Sequence, residues 1–558
     1  MSDDLDALLA RLTPEERARL AARLVVGDVV SGDKIAGDSV SGDMVVEPQG
    51  TVNVDSQGRI NGVAVGINLG TIIYGRVPAE DERRRLAWYL DSLANKLYRL
   101  PLRGIEQRLD QGDGMALPHV YVMLATTGQI ELACGQPDAL APYFQPNDSQ
   151  RLKQEHTRDW ALPPQAITRF HILGAPTEEA PTPERGYSLQ VALDYSRKQG
   201  NEILFYRTCL ATEAVYEHSH LVLLGDPGGG KSTFVRHLAW AMAQHGLDQS
   251  GQAPALFGWP NNMRSLPLLL PLRALAGRIA TAGAQPAAVA AALSAELATT
   301  YNVRQADALV EQALHSGAAL LLFDGLDEVP LERARDHADR PTVLQAVREF
   351  TQLYPAAHVV LTCRTRAFDE AMRAELGWHV ETIAPFTLGQ IRHFIPAWYG
   401  ELVAARQIEP GQANQIGQKL IDAITDPRRA RLRAMAENPL LLTMMALILY
   451  NQGELPRDRP QLYERILDLL LGQWDKVREG QSLAESVGMP AWESRDFLPL
   501  LDRLCYEAHR DSTSADGRGR LSRSALYLAL IDFFKQARAT NPGNAALCCL
   551  DYFEQRSG

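Results

Sequence analysis

The sequence has little cysteine, and its cysteines are not spaced for a structural role. Only six of the 558 residues are cysteines, and no two of them form a C-x-x-C pair. Disulfide frameworks and zinc sites usually show such close spacings, so neither is predicted, and we expect free thiols. The six are Cys134, Cys209, Cys363, Cys505, Cys548 and Cys549.

Long hydrophobic runs and an excess of positive charge are also missing. The longest apolar run, 439–450, is too short to span a bilayer, and the first ten residues are acidic where a secretory signal would be basic. The formal net charge of -11 argues against a surface that coats nucleic acid. The sequence therefore predicts a cytoplasmic protein with no membrane partner, and it disfavours nucleic acid as a partner.

Length and apolar content are present in quantity. Hydrophobic residues make up 46% of the chain, which is enough to build several cores. A chain of 558 residues is too long for one core, and the usual domain size divides it into roughly three to five units.

Residues 220–233, HLVLLGDPGGGKST, have the spacing of a phosphate-binding loop between a strand and a helix. The glycines leave backbone N–H groups open to wrap a triphosphate, and Pro227 stiffens the turn. Lys231 brings a positive charge to the outer phosphates, and the Ser232 hydroxyl can ligate Mg²⁺. A Gly-rich hairpin that binds nothing is the alternative. The predicted nucleotide-binding residues are Gly225, Asp226, Pro227, Gly228, Gly229, Gly230, Lys231, Ser232 and Thr233.

Acidic residues follow a second apolar strand within 318–330. Asp324 closes the apolar run, where a magnesium-binding carboxylate belongs at the carboxyl edge of a parallel sheet. Asp327 and Glu328 follow within one turn, and we predict that Glu328 is the general base that orients water for attack on the γ-phosphate. Asp327 is the second candidate for that role. A polar turn that only caps the strand is the structural alternative.

A third strand, predicted at 358–368, ends in Thr362 and Arg364. A polar or basic group at the tip of the strand beside the magnesium strand can touch the γ-phosphate and report which nucleotide is bound. Arg364 is the first candidate and Arg366 the second, and either could be a solvated loop charge. No N-K-x-D segment follows, so adenine is favoured over guanine as the base.

Elsewhere the pattern predicts further α/β alternation. A charged helix begins after Pro78, a strand is predicted at 120–125, and a loop without periodicity at 130–185. Beyond the phosphate loop, 265–275 is predicted as a buried strand and the Ala-rich 284–316 as helix.

The N-terminal stretch contains no cluster of catalytic residue types. Residues 3–25 are predicted as two short amphipathic helices, the second opened by a capping box at Thr13. Residues 27–46 then repeat every five residues as GDVVS, GDKIA, GDSVS and GDMVV. This period suits a small β-solenoid of stacked turns, with a flexible linker as the alternative, and β character continues to about Tyr74. We predict an interaction module.

Six segments between about 200 and 475 resemble the bacterial branch of the NACHT family of STAND-type NTPases. They are GDPGGGKST, LLFDGLDE, VVLTCRT, APFTLGQI, ENPLLLTMMALI and LPRDRPQLYERILDLLLGQWD. The resemblance implies an α/β fold with a P-loop NTPase parallel-sheet core, followed by an all-α helical domain and a partial winged-helix domain. It also implies ATP or ADP and Mg²⁺ as cofactors, with Pro439 against the nucleotide base.

The resemblance and the patterns above together predict six regions. They are the N-terminal helices (1–26), the GD-repeat β region (27–75), an α/β segment with loops (76–200), the NTPase core (201–385), the helical domain (386–454) and the start of a winged-helix domain (455–558). Bacterial relatives also carry GD repeats before the core. The family continues into a winged-helix histidine and a C-terminal sensor, neither of which the sequence shows, so we expect a fragment or an incomplete switch.

By resemblance, the chain is expected to be a signalling switch that binds ATP, hydrolyses it slowly and forms a homo-oligomer on activation. Family members act in signalling and, in bacteria, in defence against phage, which makes a phage component a candidate for the unidentified trigger. A constitutive P-loop ATPase acting as a remodeller or motor is the alternative. A motor usually needs an arginine donated by a neighbour and a pore loop that grips substrate, and the sequence offers no clear candidate for either.

Overall fold

The computed structural model describes residues 80–100, 115–135, 167–172, 198–199, 203–248, 256, 259, 265–331, 333, 337–456, 459–471, 483–511 and 523–556. Apart from residues 80 and 81, the described residues all belong to the unit Glu82–Gly558. The predicted N-terminal helices and GD repeats lie outside the described residues, so they stay predictions. The architecture below is that of this unit.

A parallel sheet of five strands forms the centre of the fold, in the order β5-β6-β7-β4-β8. The strands are β4 (His220–Gly225), β5 (Leu266–Pro271), β6 (Ala319–Asp324), β7 (His358–Arg364) and β8 (His379–Thr382). The middle strands are apolar almost throughout because parallel strands are buried on both faces. Strand β7 pairs with β4 on one side and with β6 on the other, so the carboxyl ends of these three strands meet at one edge.

Helices pack against this sheet and share its hydrophobic core. They are α3 (Ala211–Glu217), α4 (Lys231–Leu247), α5 (Leu272–Ala282), α6 (Pro286–Thr300), α7 (Ala306–His315), α8 (Arg340–Leu353) and α9 (Glu370–Leu376). Two 3₁₀ turns, Leu326–Glu328 and Thr365–Ala367, follow β6 and β7 directly.

Two predictions for this core were correct in type but wrong in extent. The strand predicted at 265–275 ends at Pro271, because Leu272, Leu275 and Ala276 have the spacing of one buried helical face and begin α5. The single helix predicted at 284–316 is two helices, which are separated where Asn302 and Gln305 adopt positive φ angles of 54° and 53°.

Before the phosphate loop, the structure contains a small antiparallel sheet in the order β1-β3-β2. Its strands are β1 (Ala125–Gly135), β2 (Ile167–Ile172) and β3 (Ile203–Leu210), and it is preceded by α1 (Glu80–Leu97) and the short α2 (Leu117–Val120). The helix predicted after Pro78 is confirmed. The strand predicted at 120–125 is wrong, since 121–124 is extended chain without a partner strand and β1 begins only at Ala125.

The loop predicted at 130–185 is also wrong in part, because it contains the end of β1 and the whole of β2. Both strands pair with β3, which follows β2 by about thirty residues. The sequence shows no alternating pattern over these residues, so the strands become apparent only through their pairing with β3. One further bridge, between Thr126 and Ile383, links β1 to the chain just after β8.

The described residues from 388 onward are helical. They form α10 (Leu388–Ala404), α11 (Pro410–Thr425), α12 (Ala430–Ala436), α13 (Pro439–Gln452), α14 (Arg459–Leu471), α15 (Leu483–Ser486), α16 (Leu498–Asp511), α17 (Arg523–Gln536) and α18 (Pro542–Arg556), with 3₁₀ turns at Pro427–Arg429 and Ser494–Phe497. Helix α10 opens with a capping box, in which Thr387 and Gln390 bond each other's backbone.

These helices belong to two hydrophobic cores. The buried side chains of α10 to α13 join the core of the parallel sheet, while α15 to α18 build a second cluster around Phe497, Leu530 and Phe534. A winged-helix domain is predicted at 455–558. The described residues of this range form helices and contain no strand. Across the described residues no single helix is long and apolar enough to cross a membrane, and only the bent pair 427–436 and 439–452 meets the length and composition test together.

Candidate functional site

The phosphate loop lies between β4 and α4, as the sequence predicts. Gly230 precedes the helix in a left-handed conformation and offers no capping side chain. The first N–H groups of a helix have no acceptor within the helix, so those at the start of α4 are left to a ligand. Together with the helix dipole they form a site for an anion such as a phosphate group.

Gly228 is required by what lies next to it. Its φ of +73° favours glycine, and a Cβ atom at this position would lie 2.7 Å from Cβ of Leu440 and 2.9 Å from Oδ1 of Asn438. The phosphate loop is therefore packed closely against the start of α13. Any larger residue here would separate the two.

Lys231 bends back over the loop. Its Nζ donates to the carbonyl oxygens of Gly225 at 2.7 Å and Asp226 at 3.1 Å. Burial lowers the pKa of Lys231, and the nearby carboxylate of Asp327 opposes that shift. The ammonium group is thus held at the mouth of the loop, within reach of phosphates bound to the amides. Gly225 and Asp226 serve here through their carbonyl groups.

Ser232 and Asp324, the two predicted magnesium ligands, lie together. The Ser232 hydroxyl donates to Oδ1 of Asp324 at 3.2 Å, and the Thr362 hydroxyl donates to the same oxygen at 2.6 Å. Burial raises the pKa of Asp324, and these two hydrogen bonds oppose the increase. A hydroxyl and a carboxylate next to a phosphate site suit Mg²⁺, which keeps waters and takes substrate phosphates as further ligands.

The sheet order explains the position of Thr362. Strand β7 lies between the phosphate-loop strand and the acidic strand, so its tip contacts both. The Thr362 hydroxyl oxygen also accepts a hydrogen bond from the backbone N–H of Gly325, the residue that follows the acidic strand, at 2.8 Å. The sequence placed Thr362 at a strand tip, but its role as the link that orients Asp324 depends on a neighbour relation that the sequence does not display.

Asp327 and Arg364 form an ion pair. The Arg364 Nε lies 2.7 Å from one carboxylate oxygen of Asp327, and the Arg364 backbone N–H donates to the other at 3.0 Å. Both residues line the cavity. Since both oxygens of Asp327 are engaged, its geometry supports a role in orienting Arg364 rather than in activating water.

Glu328 also lines the cavity and is half-buried. Burial, followed by the negative charges of Asp324 and Asp327, raises its pKa, while Arg273 and Arg364 oppose the increase. The side chain folds back over Gly325, where a Cβ atom would lie 2.9 Å from the Glu328 carboxyl carbon, and where φ is +80°. Glycine at 325 therefore leaves room for the Glu328 carboxylate in this part of the site.

The cavity has a volume of about 410 Å³ and continues from the phosphate loop between two apolar walls. Pro439, the first residue of α13, lies in one wall together with residues of α10, and its contact with the nucleotide base stays a prediction. The other wall comes from the segment just before β1, which the sequence did not identify as part of the site. The wall before β1 includes Leu117, Val120, Tyr121, Val122 and Leu124, and the second wall includes Phe386, Phe394, Trp398, Pro439 and Leu440.

The wall before β1 is held in place by contacts with the helices α4 and α10. The Tyr121 ring stacks on His237 of α4 at 3.6 Å, and burial lowers the pKa of His237 to about 4, so this ring is neutral near pH 7. Glu401 of α10 accepts from the backbone N–H of Ala116 at 2.9 Å and pairs with His119 at 2.7 Å. This part of the cavity is thus lined by a segment that is anchored on α4 and α10.

The phosphate loop is also bonded to the helical region. The Asn438 side chain accepts from the N–H groups of Leu440 and Leu441 as the N-cap of α13, and its Nδ2 donates to the Pro227 carbonyl at 2.9 Å. The N–H of Leu440 lies 3.2 Å from the Gly228 carbonyl oxygen. The sequence marks Asn438 only as a helix start, and its second bond is visible only in the fold.

Arg366, the second candidate for sensing phosphate, lies in the exposed 3₁₀ turn after β7 and does not line the cavity. The geometry therefore favours Arg364. Thr233 and Gly229 line the cavity as predicted.

Residues 219–400 match the family model of the NACHT domain. The chain carries a NACHT domain. Because NACHT is a P-loop NTPase domain, residues 219–400 are assigned to the P-loop NTPases of the STAND type. The matched range of the NACHT domain contains the phosphate loop, the acidic strand and Arg364, whereas Asn438, Pro439 and the wall before β1 lie outside it.

An uncharacterized WD repeat-containing protein of Nostoc sp. is 30% identical to this chain over 153 residues. The similar segment is 27% of this chain and 9% of the relative, so the chain spans only a small part of the protein that it matches.

Proposed function

We propose that the chain is a nucleotide-dependent switch, which binds ATP with Mg²⁺, hydrolyses it slowly and self-associates in the ATP state. The observation that carries the proposal is the direct bonding of the phosphate loop to α13 through Asn438 and Leu440. The amide groups of the phosphate loop are available to phosphates, and its carbonyl groups bond the helical region. A change in the bound nucleotide can therefore change the position of that region. Such a two-state contact is what a switch needs.

Adenine as the base is supported by the apolar walls of the cavity. A flat aromatic base fits between the wall before β1 and Pro439, and most small-molecule sites have such a mainly apolar lining. Competition between labelled ATP and unlabelled GTP measures the preference. Equal displacement by both nucleotides would contradict adenine selection.

Slow hydrolysis is supported by the arginine content of the site. Arg364 is the only arginine among the described residues that line the cavity, and it is held by Asp327. Fast phosphoryl transfer commonly uses an additional arginine placed on the transition state. Two measurements test the switch against the motor. One is the rate of single-turnover hydrolysis, and the other is the particle size of the protein in ADP and in a non-hydrolysable ATP analogue. Rapid multiple turnover by a particle of constant size would contradict the switch.

Asn438→Ala is expected to favour the assembled form. The substitution removes the bond to the Pro227 carbonyl, so the closed arrangement loses about 0.5–1.5 kcal/mol, whereas loss of the cap weakens α13 in both arrangements. Self-association in ADP should then occur at a protein concentration up to about tenfold lower. Light scattering over a concentration series measures it.

Asn541→Ala is the matched control, because the exposed Asn541 caps α18 by accepting from the Asn544 N–H at 3.1 Å, and the buried side chains of α18 belong to the second hydrophobic core. It removes the same side chain from a helix start that does not contact the phosphate loop. Identical self-association of the two variants would show that capping alone, and not the bond to the loop, is responsible.

Deletion of residues 1–75 should leave ATP affinity unchanged and weaken self-association. Every nucleotide contact proposed above lies after residue 116, whereas the sequence predicts an interaction module in the N-terminal stretch. ATP titration and particle size of the shortened chain test both halves of the prediction. Loss of ATP binding would mean that the repeats contribute to the core.

We also propose defence against phage as the biological setting, on the strength of the resemblance in the quoted motifs. Plating of phage on bacteria that express the full chain, with Lys231→Ala as the inactive comparison, tests this setting. Equal plaque numbers for both chains across a broad phage panel would argue for another signal.

A further inference from the structure

Arg340, the first residue of α8, is a buried cation outside the cavity. Only 5% of its surface is exposed. Burial of a guanidinium group costs free energy unless its N–H groups find acceptors, so such a residue is kept only where its hydrogen bonds matter. Neither the phosphate-loop motif nor the acidic motif includes it.

The Arg340 side chain donates to three carbonyl oxygens in two loops. Its Nη2 bonds Asp327 at 3.0 Å and Val329 at 3.1 Å, in the loop after β6. Its Nη1 bonds Ala367 at 3.2 Å, in the turn after β7. Because the guanidinium is planar and rigid, these bonds fix the spacing between the two loops.

The two loops carry or adjoin Asp327, Glu328 and Arg364, the cavity residues that are proposed to act at the γ-phosphate. The carbonyl of Asp327 is bonded to Arg340, while the carboxylate of Asp327 is bonded to Arg364. Asp327 is thus held at both ends, and the Arg364 side chain extends from a strand whose following turn is held by the same guanidinium. Displacement of Arg340 would change the position of Arg364 without touching the amides of the phosphate loop.

The start of α8 is itself well fixed. The Arg340 N–H donates to the Pro330 carbonyl at 2.8 Å, and the Asp339 side chain caps the helix by accepting from the Thr342 N–H at 2.9 Å. The guanidinium therefore acts from a rigid base, and not from the tip of a loop. A rigid support is what precise placement of a phosphate-binding group requires.

We propose that Arg340 is a positioning residue for nucleotide sensing, which sets the placement of Arg364 and thereby the discrimination between a triphosphate and a diphosphate. The inference rests on the proposed function, because it presupposes that ATP and ADP bind in this cavity. Arg340 does not line the cavity, so it acts on the nucleotide only through Arg364. Its substitution is expected to change only the binding of the γ-phosphate.

The test compares two affinities in one protein. Dissociation constants for a non-hydrolysable ATP analogue with Mg²⁺ and for ADP are measured on the full chain and on Arg340→Met, which keeps the length of the stem. The ratio of the two affinities should shift against the triphosphate by about ten- to a hundredfold, the effect of one lost charge-assisted hydrogen bond. ADP affinity should change less than about threefold.

A double-substitution cycle separates positioning from general damage. Arg364→Ala should shift the ratio by a similar factor, and Arg340→Met with Arg364→Ala should shift it no further, because both act through one contact. Losses that multiply in the double variant would overturn the proposal. So would an equal loss of affinity for ADP and for the triphosphate in Arg340→Met.

Two further variants keep the test decisive if Arg340→Met does not fold. Arg340→Lys retains a charge and three donors, so it should keep part of the preference for the triphosphate over ADP. A ratio of the two affinities equal to that of the unsubstituted chain would overturn the proposal. Phe350→Leu, about 15 Å along the same helix, is the control for loss of core packing and should leave the ratio unchanged. Absence of nucleotide binding in the unsubstituted chain would overturn the proposed function instead.

Discussion

Lys231→Ala is expected to lower the affinity for ATP by about a hundredfold or more, since the phosphates lose a cation that makes one or two charge-assisted hydrogen bonds. Lys231 is held at the mouth of the phosphate loop by the Gly225 and Asp226 carbonyl groups, which offer it no competing negative charge. On binding, the ammonium can exchange these neutral acceptors for phosphate oxygens. Titration with a fluorescent ATP analogue measures the loss.

Two comparisons identify the cause of that loss. Lys419→Ala removes an exposed lysine from α11, away from the cavity, and should leave ATP affinity unchanged. Lys231→Arg keeps the charge but replaces a compact ammonium by a wide planar group, so it should recover only part of the affinity. Unchanged affinity in Lys231→Ala would place the nucleotide somewhere other than this loop.

The parts of the site that the sequence predicted are those in which neighbours in space are also neighbours in the chain. The strand, turn and helix at 220–247 need only a short apolar run, glycines and a helical period, and the structure confirms all three. Asp324 and Arg364 were placed at strand ends by the same local reasoning. The close contact of the Ser232 hydroxyl with Asp324 then followed from parallel strands whose carboxyl ends share one edge.

The parts that were missed depend on distant segments. Tyr121 and Leu124 reach the cavity from about a hundred residues before the phosphate loop, and no local period marks them as wall residues. Residues 120–125, VYVMLA, are predicted as a strand from the sequence. In the structure Val122 and Leu124 are buried, and Leu124 lies against Gly230 of the phosphate loop, but 121–124 has no partner strand.

Arg340 shows a further limit of local patterns. An arginine at the start of a helix, between a prolyl residue and several charged residues, is typical of a solvated surface. Arg340 is buried because it bonds the loops that follow β6 and β7. These loops lie close together because the two strands are neighbours in the sheet. Positions of this kind can be found only when the strand order is known.

Glu328→Gln is expected to leave ATP binding intact and to slow hydrolysis by about a hundredfold or more, the effect of removing a general base. Glutamine keeps the shape of the side chain and can still bond a water molecule, but it cannot accept the proton. Glu328 lines the cavity, with Gly325 leaving room for its carboxylate. Single-turnover release of phosphate from bound ATP, with ATP affinity measured on the same sample, gives both quantities.

Asp327→Asn is the matched comparison, because it makes the same chemical change in the adjacent carboxylate. Asp327 is bonded by the side chain and the backbone N–H of Arg364, so its amide variant should chiefly weaken the placement of Arg364 and reduce the preference for ATP over ADP. The proton-accepting role would then belong to Glu328 alone. Unchanged turnover in Glu328→Gln, together with a hundredfold loss in Asp327→Asn, would instead assign the base to Asp327, which would have to release Arg364 during each cycle.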